Sequence, residues 1–261
     1  GGGGGGGDMA SDILGFESDL GSSVSAAVRE RVSETADPDV LVIMGAQYSA
    51  RRQYAEAMYC LEAALDRDPL NVRGHYSVGQ LFSLRGQWAA AAASFRRSES
   101  LAPPGREKGQ AMYCVATSLQ NLGELDEAAT AYRQALLMWP NQVVIHFSLA
   151  SCLYRLSMTH AHAAAMAGGD SSVALDFESN KDLKDGRVGE TIPEATRKDP
   201  AAAAAAAAKG ARTHAEAFEA LLEAERLNLV MPMQPFALPL ADLRKRILAA
   251  MADPPKEEGE G

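Results

Sequence analysis

A block of residues recurs along this chain about every 34 positions, and that period constrains the fold more than any other feature. Leu41 to Tyr48 aligns with His75 to Phe82, with Met112 to Leu119 and with His146 to Leu153. A second set of columns follows in register: Ala57, Ala91 and Ala128; Leu61, Phe95 and Tyr132; Ala64, Ser98 and Ala135; Pro69, Pro103 and Pro140. Self-similarity at this length is the mark of helical hairpins stacked in an array, because one hairpin cannot bury its apolar face alone. Small residues at Gly45, Gly79, Ala116 and Ala150 let paired helices approach closely. The large residues of the neighbouring columns fill the space between hairpins.

Local signals place the elements. Asp37-Pro38 reads as a helix N-cap followed by Pro in the first turn. Helices are predicted over 38–51 and 54–67, then 72–85 and 88–101, then 109–122 and 125–138. Gly86 and Gly123 supply turns, and Arg106–Lys108 stand as extra residues before the third hairpin. Before the repeats, residues 1–21 read as a disordered Gly-rich lead, and 22–36 as a short helix carrying Val24, Val28 and Val32 on one stripe. The fourth unit is broken. Its first helix begins at Val143, but its second-helix columns appear only at Ala217, Leu221 and Ala224. Domain organisation is therefore expected as three repeats plus a first helix over 38–157, an Ala-rich insertion over 158–212, and the displaced second helix over 213–230. A capping helix over 239–252 and a disordered tail over 253–261 follow. The Ala-rich ends of the insertion, Ala161–Ala167 and Ala201–Ala208, are expected to pair as an antiparallel helical arm with Asp170–Lys198 as its mobile tip. The alternative is an unstructured low-complexity expansion.

The column order, large-x2-large-small-x2-aromatic, then Ala-x3-large and a closing Pro, resembles the tetratricopeptide repeat. The resemblance covers residues 38–157 and a displaced half-unit near 213–230. It implies an all-α, right-handed α-solenoid of stacked helical hairpins, closed by a C-terminal capping helix. It also implies a protein that holds other proteins and carries no chemistry of its own.

Composition narrows the partners. A net charge of -9 and a pI near 5.1 argue against a nucleic-acid backbone or an anionic membrane surface. No apolar run approaches membrane-spanning length. Cys60, Cys114 and Cys152 sit in separate repeats without metal or disulfide spacing, which points to packing roles in a reducing compartment: cytoplasm, nucleus or cilium. The chain begins with Gly, which leaves open whether Met9 is a native start or the Gly tract is internal.

Chemistry-bearing constellations are thin. His75 and His146 share a packing column. His160, His162 and His214 flank the insertion, with Glu216 the one acid nearby, which is too little for a metal set. Asn180-Lys181-Asp182 lacks both the intervening residue and the phosphate loop of a guanine site. Gly168–Ser172 follows no strand, so phosphate cradling is not expected. No catalytic residue, metal or cofactor is assigned.

In arrays of the resembled family, first helices line an inner groove. Helical spacing selects Val42, Ala46 and Ser49; Tyr76, Gln80 and Ser83; Tyr113, Thr117 and Gln120; and Phe147, Ser151 and Tyr154. This stripe is uncharged, unlike that of relatives that clasp acidic chaperone tails with Lys, Asn and Arg. Tyr76, Gln80, Tyr113, Thr117, Gln120, Phe147, Ser151 and Tyr154 are the candidate partner-binding residues, for a largely apolar extended or helical segment. The expectation is a non-enzymatic scaffold or adaptor within a larger complex. The alternative is a helical accessory domain of an enzyme whose catalytic part lies elsewhere.

Overall fold

The computed structural model describes residues 24–168, 200–230 and 236–252. The expected disordered lead and tail, and the expected mobile tip at 170–198, lie outside them. Among the described residues every regular element is a helix, and no helix is long and apolar enough to cross a membrane. They fall into two compact units, Gly1–Ser118 and Leu119–Gly261.

Unit 1 contains α1 (Ala26–Glu34), α2 (Pro38–Ala50), α3 (Tyr54–Arg67), α4 (Val72–Leu84), α5 (Trp88–Leu101) and most of α6 (Arg106–Leu122). Helix α2 pairs with α3 and α4 with α5, and α4 packs on both members of the first pair. The core is built from the repeat columns: Leu41, Ala57, Leu61, Ala64, Leu81, Ala91 and Phe95 are all buried. Val28 and Val32 of α1 are buried too, and α1 packs on α3. Caps follow the sequence signals. The Asp37 carboxylate accepts from the Asp39 amide at 2.9 Å, and the Asn71 side-chain oxygen accepts from the Gly74 amide at 2.8 Å. The Asn71 amide nitrogen then donates to Asp39 at 3.1 Å, tying the starts of α2 and α4 together.

Two boundaries differ from expectation. The short N-terminal helix, expected over 22–36, runs from Ala26 to Glu34 with Ser25 at its cap. Arg106–Lys108 are not extra residues but the first turn of α6, which starts directly after Gly105 at φ 139°. Glu107 in that turn sits where a helix dipole favours negative charge.

The three hairpin turns share one geometry with one odd residue. A left-handed residue ends each first helix: Arg52 at φ 61°, Gly86 at φ 71° and Gly123 at φ 89°. The next amide donates five residues back each time, Gln53 to Tyr48, Gln87 to Phe82 and Glu124 to Leu119, at 2.9–3.0 Å. Arg52 therefore stands where the other two repeats use Gly, with a side chain that this backbone disfavours by about 1 kcal/mol. The Arg52→Gly variant is expected to be more stable by about 1 kcal/mol, raising Tm by about 2–4 °C. Calorimetry checks this; an unchanged or lower Tm would mean the Arg52 side chain compensates.

Unit 2 contains the last turn of α6, then α7 (Leu125–Met138), α8 (Val143–Gly168), α9 (Pro200–Val230) and α10 (Ala237–Ala252). Helices α8 and α9 lie side by side over much of their length. Ser157 meets His214 while His160 meets Gly210, the reversed order of an antiparallel pair. The segments expected to form an arm are thus the continuation of α8 and the start of α9. No break falls between 212 and 213: one helix runs from the Ala tract through the displaced columns Ala217, Leu221 and Ala224, all buried. Ala is the strongest helix former, so nothing interrupts it. Gly210, a weak point on propensity, has a packing reason: a Cβ there would meet His160 Cβ at 3.3 Å and the α8 backbone at 3.5 Å.

Helix α10 packs mainly on α9 through Leu240, Leu243 and Ile247. Leu248 and Met251 of the same helix are 43% and 50% exposed. They lie at the edge of the i, i+3, i+7 stripe and extend past what it covers. Pro239 is tolerated because it falls in the first turn, where its missing N–H has no intrahelical partner to lose.

Candidate functional site

The candidate stripe divides between the two units. In unit 1 an open groove of about 540 Å³ is lined from α2 by Gly45, Ala46, Ser49 and Ala50, and from α4 by Ser77, Gln80, Ser83 and Leu84. Tyr113, Cys114, Thr117 and Ser118 of α6 line it as well, with Leu61, Trp88 and Phe95 below. No charged side chain lines it. Of the residues chosen from sequence, Ala46, Ser49, Gln80, Ser83, Tyr113 and Thr117 come together here. Val42 is buried in the core instead.

Tyr76 does not line the groove. Its ring leans against Phe95, with centroids 5.4 Å apart. Its hydroxyl lies 3.3 Å from the Cys114 sulfur and accepts from the Gln110 amide at 2.9 Å. Burial pushes the phenol well above its ordinary value, so it stays protonated. Tyr76 is a packing residue between α4 and α6. Helical side chains lean towards their own N-terminus, which an i, i+4, i+7 count does not resolve.

In unit 2 Gln120, Phe147, Ser151 and Tyr154 line a second recess of about 360 Å³. Sequence reasoning missed six of the ten residues that line it. Arg155 and Met158 join from α8, and Pro239, Asp242, Leu243 and Arg246 from α10. The stripe is therefore not uncharged in unit 2: two guanidiniums and one carboxylate face the recess. The Arg244-Lys245-Arg246 run was the available signal, but nothing in its spacing ties it to Tyr154.

Three of the histidines take structural roles. His75 donates from Nε2 to the Pro69 carbonyl and His146 to the Pro140 carbonyl, both at 2.9 Å. The repeat column thus places the same bond in each unit, satisfying the carbonyl of the closing Pro of the preceding repeat. His214 donates from Nε2 to the Ile247 carbonyl at 2.8 Å, while its Nδ1 lies 3.0 Å from the Ser157 hydroxyl. It joins α8, α9 and α10 and packs edge-on against Tyr154. His160 Nδ1 is buried without a partner, and burial holds this imidazole below its ordinary value. Among the described residues no three His, Cys, Asp or Glu side chains converge as a metal set would need.

The cysteines are unpaired. Burial pushes the Cys60 thiol up to about 11 and the Cys152 thiol up to about 12, and raises Cys114 as well. Protonated thiols are poor nucleophiles.

A tetratricopeptide-repeat family model matches residues 46–106 and 116–172. Among solved structures, the crystal structure of YrrB, a TPR protein with an unusual peptide-binding site, is 16% identical with a TM-score of 0.44, covering 85% of this chain and 100% of that one. A comparison with curated proteins gives no match. The family match rests on the same columns that build the hairpins and their turns: over residues 46–106 and 116–172 this chain carries tetratricopeptide repeats, and among the described residues its fold is all-α.

Proposed function

We propose that this chain is a non-enzymatic protein–protein interaction scaffold or adaptor, a subunit of a larger complex, that holds an extended or helical segment of a partner on its inner helix faces. The observation that carries this reading is the unit 1 groove, open, uncharged and edged by Tyr113, Gln80 and Thr117. Apolar walls with a few neutral polar groups suit a largely apolar peptide, with backbone amides met by Gln and Ser side chains. The unpaired thiols of Cys60, Cys114 and Cys152 suit a reducing compartment such as the cytoplasm. Neither groove nor recess offers a nucleophile–base pair.

A photo-crosslinking residue at Gln80 is expected to capture the partner segment in cells, while one at the exposed Ser100 is not. Tyr113→Ala is then expected to weaken binding of that segment by about 30-fold, as removal of a buried aromatic anchor does. Equal capture from both positions, or unchanged affinity, would place binding elsewhere.

A further inference from the structure

We infer that the unit 2 recess is a carboxylate subsite, taking a Glu or Asp side chain carried beside a bulky apolar residue in a partner protein's peptide. The inference rests on the scaffold reading above and specifies the chemistry of what is held. Arg155 supplies the first reason. Its Nη1 reaches only the Gln120 carbonyl, at a long 3.5 Å, and its Nε is buried with no partner. A guanidinium so poorly satisfied calls for an acceptor, and a planar carboxylate matches its fork of donors. Arg246 faces the same recess from α10, its Nε 3.0 Å from Asp242. Two guanidiniums against one carboxylate leave the walls net positive.

The neutral groups point the same way. Gln120, Ser151 and the Tyr154 hydroxyl line the recess, and burial raises Tyr154, so its hydroxyl keeps a proton to donate. The apolar part is Phe147, Met158, Pro239 and Leu243, with Phe236 6.2 Å from the Phe147 ring. A ligand with a carboxylate alone would leave that surface uncovered. This separates a partner peptide from the chain's own acidic end, because Lys256–Gly261 carries three Glu and no large apolar side chain. The subsite is assembled from α8 and α10, so it depends on the C-terminal helix rather than on first helices alone.

The test is titration of the full chain with acetyl-Phe-Glu-Phe-amide and acetyl-Phe-Gln-Phe-amide, followed by amide NMR shifts. The Glu peptide is expected to bind at least tenfold more tightly and to shift residues around Arg155 and Leu243. Arg155→Gln is expected to remove that preference, a loss of about tenfold, while Arg155→Lys retains part of it. Equal binding of the two peptides, or no binding of either, overturns the proposal whether or not the Arg155 variants fold. Binding that appears only after removal of 253–261, or only after Asp176 and Glu178 become Asn and Gln, makes a segment of this chain the occupant and also overturns it. Capture at Gln80 in unit 1 is read separately. Where the peptide titration fails, persistence of that capture confines the failure to the carboxylate subsite, and its loss rejects the scaffold reading as well.

Discussion

Replacing Tyr132 with Ala is expected to destabilise unit 2 by about 4 kcal/mol, the largest effect of any single truncation proposed for this chain. Tyr132 is 1% exposed and sits in the column that Leu61 and Phe95 occupy in the earlier repeats. It reaches from α7 to α6, where its hydroxyl donates to the Gln120 side-chain oxygen at 2.7 Å. Removing the ring leaves a cavity that close-packed helices cannot collapse, and strands an acceptor on Gln120. Tyr132→Phe separates the two contributions and should lose only about 1 kcal/mol. Denaturant unfolding of both variants checks this. A loss below about 1 kcal/mol for Tyr132→Ala would show that the repeat column is not what holds unit 2. Because Gln120 also borders the unit 2 recess, Tyr132→Phe is expected to loosen one wall of that site with little loss of stability.

Where the sequence punctuates itself, the fold was legible. Pro38, Pro69 and Pro140, with Gly86 and Gly123, fixed the hairpin boundaries to within a residue, because each residue type forbids or permits one backbone state. The start of α6 was not legible. Pro103-Pro104-Gly105 announces a stop, but no repeat column covers Arg106–Lys108 to say that a helix resumes at once. Arg52 hid for the opposite reason: its column is a turn position, yet its side chain gives no sign of a left-handed backbone. The site was half legible. Helical arithmetic grouped Gln80 with Tyr113 and Thr117, and Phe147 with Ser151 and Tyr154. It could not see Tyr76 turning onto Phe95 and Cys114, since that depends on side-chain lean rather than spacing. Nor could it bring Asp242 and Arg246 to Tyr154, across an insertion that pattern alone does not fold. Long-range placement of α10 by Leu240, Leu243 and Ile247 decides that wall.

Gly79→Val is expected to cost about 3 kcal/mol in unit 1, at the upper end of the usual penalty for overpacking. A Cβ at Gly79 would lie 2.7 Å from Cδ1 and from Cε1 of Phe95, and 3.0 Å from its Cγ. These are ring atoms of a side chain 2% exposed, so they cannot swing aside as the end of a flexible chain would. Gly is otherwise a poor helix former, and replacing it would gain about 1 kcal/mol of propensity if there were room. Its presence inside α4 therefore marks contact rather than flexibility. Gly45 tells the same story one repeat earlier, where a Cβ would meet Leu61 Cγ at 2.7 Å and the Ala57 carbonyl at 3.2 Å. If the ring is the obstacle, Phe95→Leu should make Gly79→Val markedly less costly, with a coupling of about 1–2 kcal/mol between the two positions. Additive losses in that double-mutant cycle would show that the penalty at Gly79 comes from the helix itself. A favourable coupling would show that the small and large columns of the repeat are two halves of one packing constraint.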